Sequence, residues 1–322
     1  MSEQADPAGT VDEGRRKLMA EGMRAGRMYR VEKPLSEVRA DLDAIAALDS
    51  AAEENMGTAG CLLGGGVFLG IFGVMMLLGT LVAIAGSGES SVVPAIIVGV
   101  IALAMLVACG VMCVKAKRLK VEYAGLDIEN RQYTTAREIL RMVSADMASD
   151  ATVSVRLDLS PHTAAAKQTD SGKVSYWNVD YFEDDWCDLS GQLLDGTRFT
   201  INFFEKHQER NRTARSASGK IKHKHKTKGK SRLTVSLKCK SKRYPRLAEA
   251  AAEAEGAVRL PSWVELKSVG VDGDKLSISS TSKEYWGHGE NWITEETVVD
   301  YQGCDWVAAS LHSLYRVLNQ AK

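Results

Sequence analysis

The chain has 322 residues, with 41 Lys or Arg and 41 Asp or Glu, so its formal net charge is zero. This length accommodates one membrane module and one or two soluble domains of ordinary size. The six cysteines form no CxxC pair and have no histidines at zinc-finger spacing, which excludes a disulfide-stapled scaffold and argues against a structural zinc site. They fit a reducing compartment.

The charges are unevenly distributed along the chain. Residues 204–246 contain 16 Lys or Arg and two acids, Glu205 and Glu209, which gives a local charge of +14. The rest of the chain must therefore carry −14. The long apolar runs lie between Cys61 and Val114, well before this basic stretch.

The N-terminal residues 1–60 are expected to form a cytosolic helical segment. Within them, 10–30 begins with Thr10 and Glu13 at capping-box spacing and continues as a basic amphipathic pattern. This pattern fits either a helix lying on an anionic membrane surface or a poorly ordered tail. Residues 35–55 give a clearer helix pattern, with an apolar stripe that needs a packing partner. The stripe consists of Val38, Leu42 and Ile45.

Two uncharged apolar runs follow, at 61–85 and 92–114. A helix of about 20 residues crosses the hydrocarbon core, so each run is long enough to span a membrane. Pro94 falls in the first turn of the second run, where its missing N–H costs nothing. The link at 86–91 is too short for a domain, so the two helices are expected to form an antiparallel transmembrane hairpin.

The flanking charges predict the orientation of this hairpin. Four basic residues follow the second helix directly, whereas the 86–91 link has none and carries Glu89. The positive-inside rule then places both termini in the cytosol, at the plasma membrane or at the inner membrane if the organism is bacterial. The basic residues are Lys115, Lys117, Arg118 and Lys120.

Small residues recur at four-residue spacing in and beside the apolar runs. Such spacing lets helices approach closely in lipid, either within the hairpin or between copies of the chain. A pore is less favoured, because neither run contains the charge or polar stripe of an ion pathway. The predicted helix-packing pairs are Gly60 with Gly64, Gly66 with Gly70, Ala95 with Gly99, and Ala104 with Ala108.

Residues 121–322 are expected to form a cytosolic α+β domain with a mostly antiparallel sheet. Period-two alternation and turn signals predict most of its strands, and apolar stripes predict its helices. The Asp195-Gly196 pair is a two-residue hairpin signal. The predicted strands are 153–160, 173–182, 186–194, 197–204, 232–239, 262–270, 274–281 and a region around 293–301, and the predicted helices are 134–148, 245–255 and 305–319.

The Lys-rich segment within 206–246 has the most distinctive chemistry in the chain. Its lysines occupy every second position, so in an extended strand all six ammonium groups line one side. Like charges spaced about 6.6 Å apart repel one another unless anions lie between them. The tentative anion-binding residues are Lys220, Lys222, Lys224, Lys226, Lys228 and Lys230.

Several interpretations of this segment stay open. A solvated loop or the tip of a long hairpin is the ordinary interpretation, and the acidic stretch 180–188 is a candidate for neutralising it within the molecule. Anionic lipid headgroups, nucleic acid and a protein partner are the functional ones. Lipid is favoured over nucleic acid because the predicted anchor holds the segment near a membrane, and because aromatic stacking residues are absent from 206–243.

No catalytic motif is present, and no cofactor or metal is expected. The residues Asp180, Asp184, Asp185 and His207 fit no known acid–base arrangement, and the pair His223 and His225 sits among lysines that repel a metal cation. We therefore expect a membrane-anchored binding or scaffold protein. The alternatives are a membrane-anchored enzyme, which predicts a pocket of acidic and aromatic residues with shifted pKa values, or an oligomeric two-helix channel.

Overall fold

The structure, a computed structural model, describes residues 7–86, 92–215, 218–252, 254–287, 293–294, 297–298 and 301–321. The chain forms two compact units. One is Ala47–Asp127, and the other combines the chain on either side of it, Met1–Ala46 and Ile128–Lys322. The N-terminal segment expected over 1–60 is thus divided, with the part up to Ala46 in the larger unit and the rest in the smaller one.

The elements in the described residues are as follows in chain order. The helices are α1 (Pro7–Gly26), α2 (Leu35–Gly86), α3 (Val92–Tyr123), α4 (Asn130–Val143), α5 (Leu247–Ala252) and α6 (Gly303–Gln320). The strands are β1 (Met28–Pro34), β2 (Thr152–Asp158), β3 (Gln168–Val174), β4 (Trp177–Gln192), β5 (Arg198–Arg215), β6 (Ile221–Lys238), β7 (Glu265–Asp272), β8 (Lys275–Ser282), β9 (Ile293–Thr294) and β10 (Thr297–Val298).

Two helices, α2 and α3, are long and apolar enough to cross a membrane. Their most apolar stretches have mean hydropathies of 2.6 and 2.8, and only 11% and 6% of those stretches are buried. The side chains left exposed are large and apolar, including Phe68, Met75 and Val100. The expected link between the two helices falls at 87–91, outside the described residues.

The larger unit is built on an open sheet with the strand order β1-β2-β4-β5-β6-β8-β7, and β3 pairs with β4 beside this path. All these neighbours are antiparallel, which confirms the predicted mostly antiparallel sheet. The two short strands β9 and β10 pair only with each other among the described residues. The predicted strand near 293–301 is otherwise outside those residues.

The edge strand β1 was not predicted. Helix α1 ends where Arg27 adopts a φ of 53°, and the next seven residues pair with β2 from Met28 to Pro34. Pro34 closes the strand, and a proline is tolerated there because β1 is an edge. The Val38, Leu42 and Ile45 stripe of α2 is fully buried, so the predicted helix over 35–55 is confirmed as part of α2.

The central hairpins are longer than predicted. Strand β4 runs through the predicted break between 182 and 186, which is instead a register shift between Asp184 and Cys187. Strand β5 continues to Arg215, well beyond the predicted end at 204, and strand β6 begins at Ile221, well before the predicted start at 232. The extra residues alternate between polar types, a pattern that fits an exposed strand as well as a loop. The Asp195-Gly196 turn connects β4 and β5 as predicted. It is a three-residue loop, however, since the Leu193 N–H donates to the Thr197 carbonyl and Gly196 adopts a φ of +82°.

An aromatic cluster fills the core beneath the sheet. The rings of Trp186, Phe203 and Trp286 stack in sequence, with centroids 5.2 and 5.1 Å apart, and Trp306 meets Phe203 edge-on. Helix α6 carries Trp306 into this cluster, and its indole N–H donates to Ser280 at 2.8 Å. A Cβ at Gly303, where α6 begins, would collide with the Trp286 ring.

Candidate functional site

The outer half of the β5–β6 hairpin separates its charges onto one face. Directly opposed residues of an antiparallel pair share a face, so the even-numbered positions of both strands lie together. Within 206–214 and 222–230, eight of these ten positions are Lys or Arg and none is acidic. We call this surface the basic face: Lys206, Arg210, Arg212, Lys222, Lys224, Lys226, Lys228 and Lys230.

Like charges oppose one another across this face. The register pairs Lys206 with Lys230, Arg210 with Lys226, and Arg212 with Lys224. Directly opposed like charges destabilise a sheet by a fraction of a kcal/mol each, up to about 1 kcal/mol. The hairpin therefore keeps an arrangement that folding alone disfavours, which is typical of a surface selected for binding.

The acidic stretch 180–188 pairs with one member of the basic face, Lys206, and with two cations outside that face. Glu183 pairs with Lys206 at 2.6 Å, Asp184 with Lys167 at 2.8 Å, and Asp185 with Arg156 at 2.8 Å. Within the described part of the chain, no ion pair joins an acid to the lysines at 222, 224, 226, 228 or 230. Of the predicted anion-binding residues, Lys220 lies just before β6, and the other five lie on its exposed strand as the alternation predicts.

Apolar and aromatic side chains border the basic face at the neighbouring β3–β4 turn. Tyr176 is 81% exposed and Val174 is 43% exposed. Beside them the Arg212 guanidinium lies over the Trp177 ring, 4.8 Å from its centroid. Ile221, at the start of β6, is 67% exposed. The same end of the sheet thus presents both cations and exposed apolar groups.

The opposite face of the hairpin carries histidines and glutamates. Glu209 accepts a hydrogen bond from Thr227 at 2.9 Å and lies 2.9 Å from His162 Nε2 and 2.8 Å from His225 Nε2. Burial opposes the ionisation of Glu209, but these hydrogen bonds hold its pKa below the ordinary value. His223 contacts Thr213 instead, so the two histidines of the predicted pair have different partners. The described residues contain no cluster of three or more groups able to hold a metal ion.

A buried ion pair lies at the root of this face. Arg131, from α4, donates to both carboxylate oxygens of Glu205 at 2.7 and 2.8 Å and from its Nε to Glu129 at 2.7 Å. The guanidinium also lies over the Trp286 ring, 4.6 Å from its centroid. Ser231 donates to Glu205 at 2.9 Å while accepting from the Trp286 indole at 2.9 Å. Together these contacts fix α4, the hairpin and the segment after β8 to one another.

Glu205 stays ionised and sets the tautomer of His207. Burial opposes ionisation, but the charge and hydrogen bonds of Arg131, with the hydrogen bond from His207, hold the pKa of Glu205 well below its ordinary range. An ionised carboxylate only accepts hydrogen bonds, so His207 Nε2, 3.0 Å away, carries the proton. In the neutral ring Nδ1 is then an acceptor. The His207 ring is stacked on His162, with centroids 4.3 Å apart.

A cavity of about 650 Å³ opens above this network. It lies where β8 leaves the sheet, between the part of β6 that β8 leaves unpaired, at 227–230, and the segment 283–286. Its lining combines charged, hydroxyl and aromatic side chains from five parts of the chain. The residues are Glu129, Arg131, His162, Glu205, His207, Thr227, Lys228, Gly229, Ser231, Lys283, Glu284, Tyr285 and Trp286.

Sequence reasoning missed this cavity. Arg131 and Glu205 are 74 positions apart, and neither belongs to a motif. Gly229 is the one weak signal, because it is a glycine within a strand, directly opposite His207, where a side chain would cover the His207 ring. Of the four residues considered for acid–base chemistry, His207 alone lines the cavity; Asp184 is buried beside Lys167, where burial raises its pKa to about 6.

The predicted helix-packing residues divide into two groups. A Cβ on Gly66 would lie 3.2 Å from the Cys113 sulfur, and one on Gly70 would lie 3.0 Å from the Cys109 sulfur, so both glycines sit where α2 meets α3. The prediction overlooked Gly73, which meets Leu106 in the same way. A Cβ added at Gly60, Gly64 or Gly99 would have no neighbouring atom within 4 Å. Ala95 is buried, with 7% exposure.

Comparisons of the chain with protein-family models, with curated proteins and with solved structures found no match. Function is therefore inferred from the geometry of the hairpin and its cavity. Together these define a protein with two candidate membrane spans and an antiparallel sheet domain that presents a concentrated cationic surface.

Proposed function

We propose that the protein is a membrane-anchored binding protein whose sheet domain engages the anionic surface of a membrane through the basic face. In this proposal α2 and α3 form the transmembrane hairpin, and both termini lie in the cytosol. The single observation that carries the proposal is the strand register, which places eight Lys or Arg residues, and no acid, at ten positions of β5 and β6 that share one face.

The number of cations on the basic face supports membrane binding, because each one contributes measurably to the binding free energy. A Lys or Arg near an anionic leaflet contributes about 1 kcal/mol, so three of them change binding by about 3 kcal/mol, or about 100-fold. The opposed like charges on β5 and β6 repel one another in solution, and headgroup phosphates or carboxylates between them relieve that repulsion.

The exposed side chains at the β3–β4 turn favour a lipid surface over nucleic acid. Tyrosine and tryptophan prefer the membrane interface, and exposed Tyr176 and half-buried Trp177 border the basic face beside Val174. The basic residues after the second apolar run support the proposed orientation. They place a second cationic region on the cytosolic side of the proposed anchor.

The test uses the full-length chain in nanodiscs of neutral lipid. Its capture by added vesicles is measured by flotation, with vesicles of neutral lipid alone or with about 30% phosphatidylserine, from about 50 to about 500 mM salt. Fluorescence anisotropy with a labelled nucleic acid duplex runs in parallel. The test variant replaces Lys222, Lys224 and Lys226 by Gln, and the matched control replaces the exposed lysines Lys173, Lys240 and Lys242 by Gln.

We expect capture by anionic vesicles alone, weakening as salt rises, and reduced about 100-fold in the basic-face variant. The control variant is expected to change capture much less. Equal losses in the two variants would show that only total charge matters, and the basic face would then have no special role. Binding of the duplex without binding of vesicles would replace lipid with nucleic acid as the partner and refute the proposal.

A further inference from the structure

We propose that the cavity at the root of the β5–β6 hairpin binds a phosphorylated polyol, a group that combines several hydroxyls with a phosphate. The inference goes beyond surface binding, because the cavity lies on the opposite side of the hairpin from most of the basic face. Its volume of about 650 Å³ is within the range of ordinary small-molecule sites.

The floor of the cavity is a buried support for the side chains around it. Arg131, Glu205 and Trp286 are between 1% and 5% exposed, and they satisfy one another through the ion pair, the cation–π contact and Ser231. A buried, satisfied network of this kind holds its neighbours in one geometry. The network holds the His207 ring in place through the hydrogen bond between His207 and Glu205.

His207 presents a hydrogen-bond acceptor to the cavity. Since Nε2 carries the proton, Nδ1 of the neutral ring has a lone pair. Gly229 lies directly opposite His207 in the strand register, and a Cβ there would be 3.5 Å from Nδ1. A larger side chain at 229 would cover the ring edge. Glycine in a strand often marks such a close approach, and the lone pair selects a ligand O–H.

The charged lining matches a ligand with two kinds of groups. Glu129 and Glu284 are carboxylates that accept hydrogen bonds from hydroxyls, while Lys228 and Lys283 are ammonium groups that attract a phosphate. A simple anion would be repelled by the carboxylates, and an apolar ligand would engage none of the four charges. A phosphorylated polyol uses both signs of charge, and its C–H faces fit against the half-exposed ring of Tyr285.

Such a group occurs both in soluble metabolites and in lipid headgroups, and the experiment separates these sources. Isothermal titration uses the full-length chain in neutral nanodiscs with myo-inositol 1-phosphate and glucose 6-phosphate. Unphosphorylated myo-inositol and inorganic phosphate serve as fragment probes. Vesicle flotation then compares a phosphorylated inositol lipid with phosphatidylserine at equal total charge.

The decisive variant is Gly229→Leu, which covers His207 without altering any charge of the basic face. Its matched control is Gly172→Leu, at another exposed strand position where a Cβ would meet nothing within 4 Å. Glu284→Gln removes one carboxylate acceptor at an exposed position, so it reports on hydroxyl recognition without disturbing the core.

We expect at least one phosphorylated polyol to bind about tenfold or more tightly than either fragment. Gly229→Leu is expected to remove that gain and Glu284→Gln to reduce it, while Gly172→Leu leaves it intact. Preference for the inositol lipid in vesicles would identify a lipid headgroup as the ligand. Binding of a soluble polyol phosphate without that preference would identify a soluble metabolite as the ligand.

Three results would overturn the inference. They are the absence of binding by both polyol phosphates, equal affinity for inorganic phosphate, and unchanged affinity in Gly229→Leu. Capture by phosphatidylserine vesicles is expected to persist in Gly229→Leu, so failure of the cavity is distinguishable from failure of the basic face.

Discussion

Replacing Glu205 by Gln tests whether the buried ion pair organises the sheet domain. The substitution removes the charge that accepts two hydrogen bonds from Arg131, together with those from Ser231 and His207. Arg131, which is 5% exposed, then keeps only Glu129, whose side chain is 35% exposed. Breaking a buried pair on one side costs about 3–5 kcal/mol, and because Glu129 remains we expect about 3 kcal/mol.

Tryptophan fluorescence during chemical unfolding measures this loss in the full-length chain in detergent. All six tryptophans lie at 177 or beyond, outside the apolar helices, so the emission reports the sheet domain. The control is Glu183→Gln, which breaks the exposed pair with Lys206 and should cost less than about 1 kcal/mol.

Two further measurements sharpen the test. The pKa of Glu205 is lowered in the folded state, so its contribution is present above the ordinary glutamate pKa and is lost as the pH falls. The difference between Glu205→Gln and the natural chain should therefore shrink in acid. Replacing both partners, Arg131→Met with Glu205→Leu, should cost less than Glu205→Gln alone. A loss no larger than that of Glu183→Gln would refute the structural role of the pair.

Asp184, Gly303 and the basic face give three other predictions. The folded pKa of Asp184 is about 6, above its ordinary 3.8, so the folded state binds the proton more tightly and this group lowers stability as pH rises between those values. Asp184→Asn should remove that decline, of about 3 kcal/mol, in unfolding curves measured across the interval. Gly303→Ala should destabilise the domain by about 1–3 kcal/mol in denaturant titration, because the new Cβ collides with Trp286, whereas Gly172→Ala should have little effect. The Lys222, Lys224 and Lys226 to Gln variant should raise the thermal midpoint slightly, since it relieves opposed charges worth up to about 1 kcal/mol; a lowered midpoint would contradict that account.

The apolar helices and most strands could be predicted from the sequence because their signals are local. Uninterrupted apolar runs define α2 and α3, and period-two alternation defines β2, β7 and β8 to within a few residues. Strand β1 was missed because its alternation is short and precedes a proline. The outer halves of β5 and β6 lay outside the predicted strands, and the tip of a long hairpin was only one of the open interpretations, because their alternation is between different polar residues, which no hydrophobic pattern detects.

For the candidate site too, the sequence predicts the features that have a local pattern and does not predict those that depend on distant contacts. The alternating lysines predicted their shared face, but the cations that β5 adds to it depend on a strand register that only the structure supplies. The cavity depends on contacts between residues far apart in the chain, as in the pair formed by Arg131 and Glu205. Carboxylates and histidines are common, so their sequence positions alone could not indicate that these meet.

The pairing of β1 with β2 has a consequence for biosynthesis. These strands are separated in sequence by both apolar helices, so β1 emerges from the ribosome more than a hundred residues before its partner is made. Insertion of the two spans proposed here would then precede completion of the sheet. A fragment beginning after α3 would lack β1 and leave the edge of β2 uncovered, inviting association between copies. The sheet domain therefore needs strand β1, which is synthesised before the apolar helices, to complete its edge.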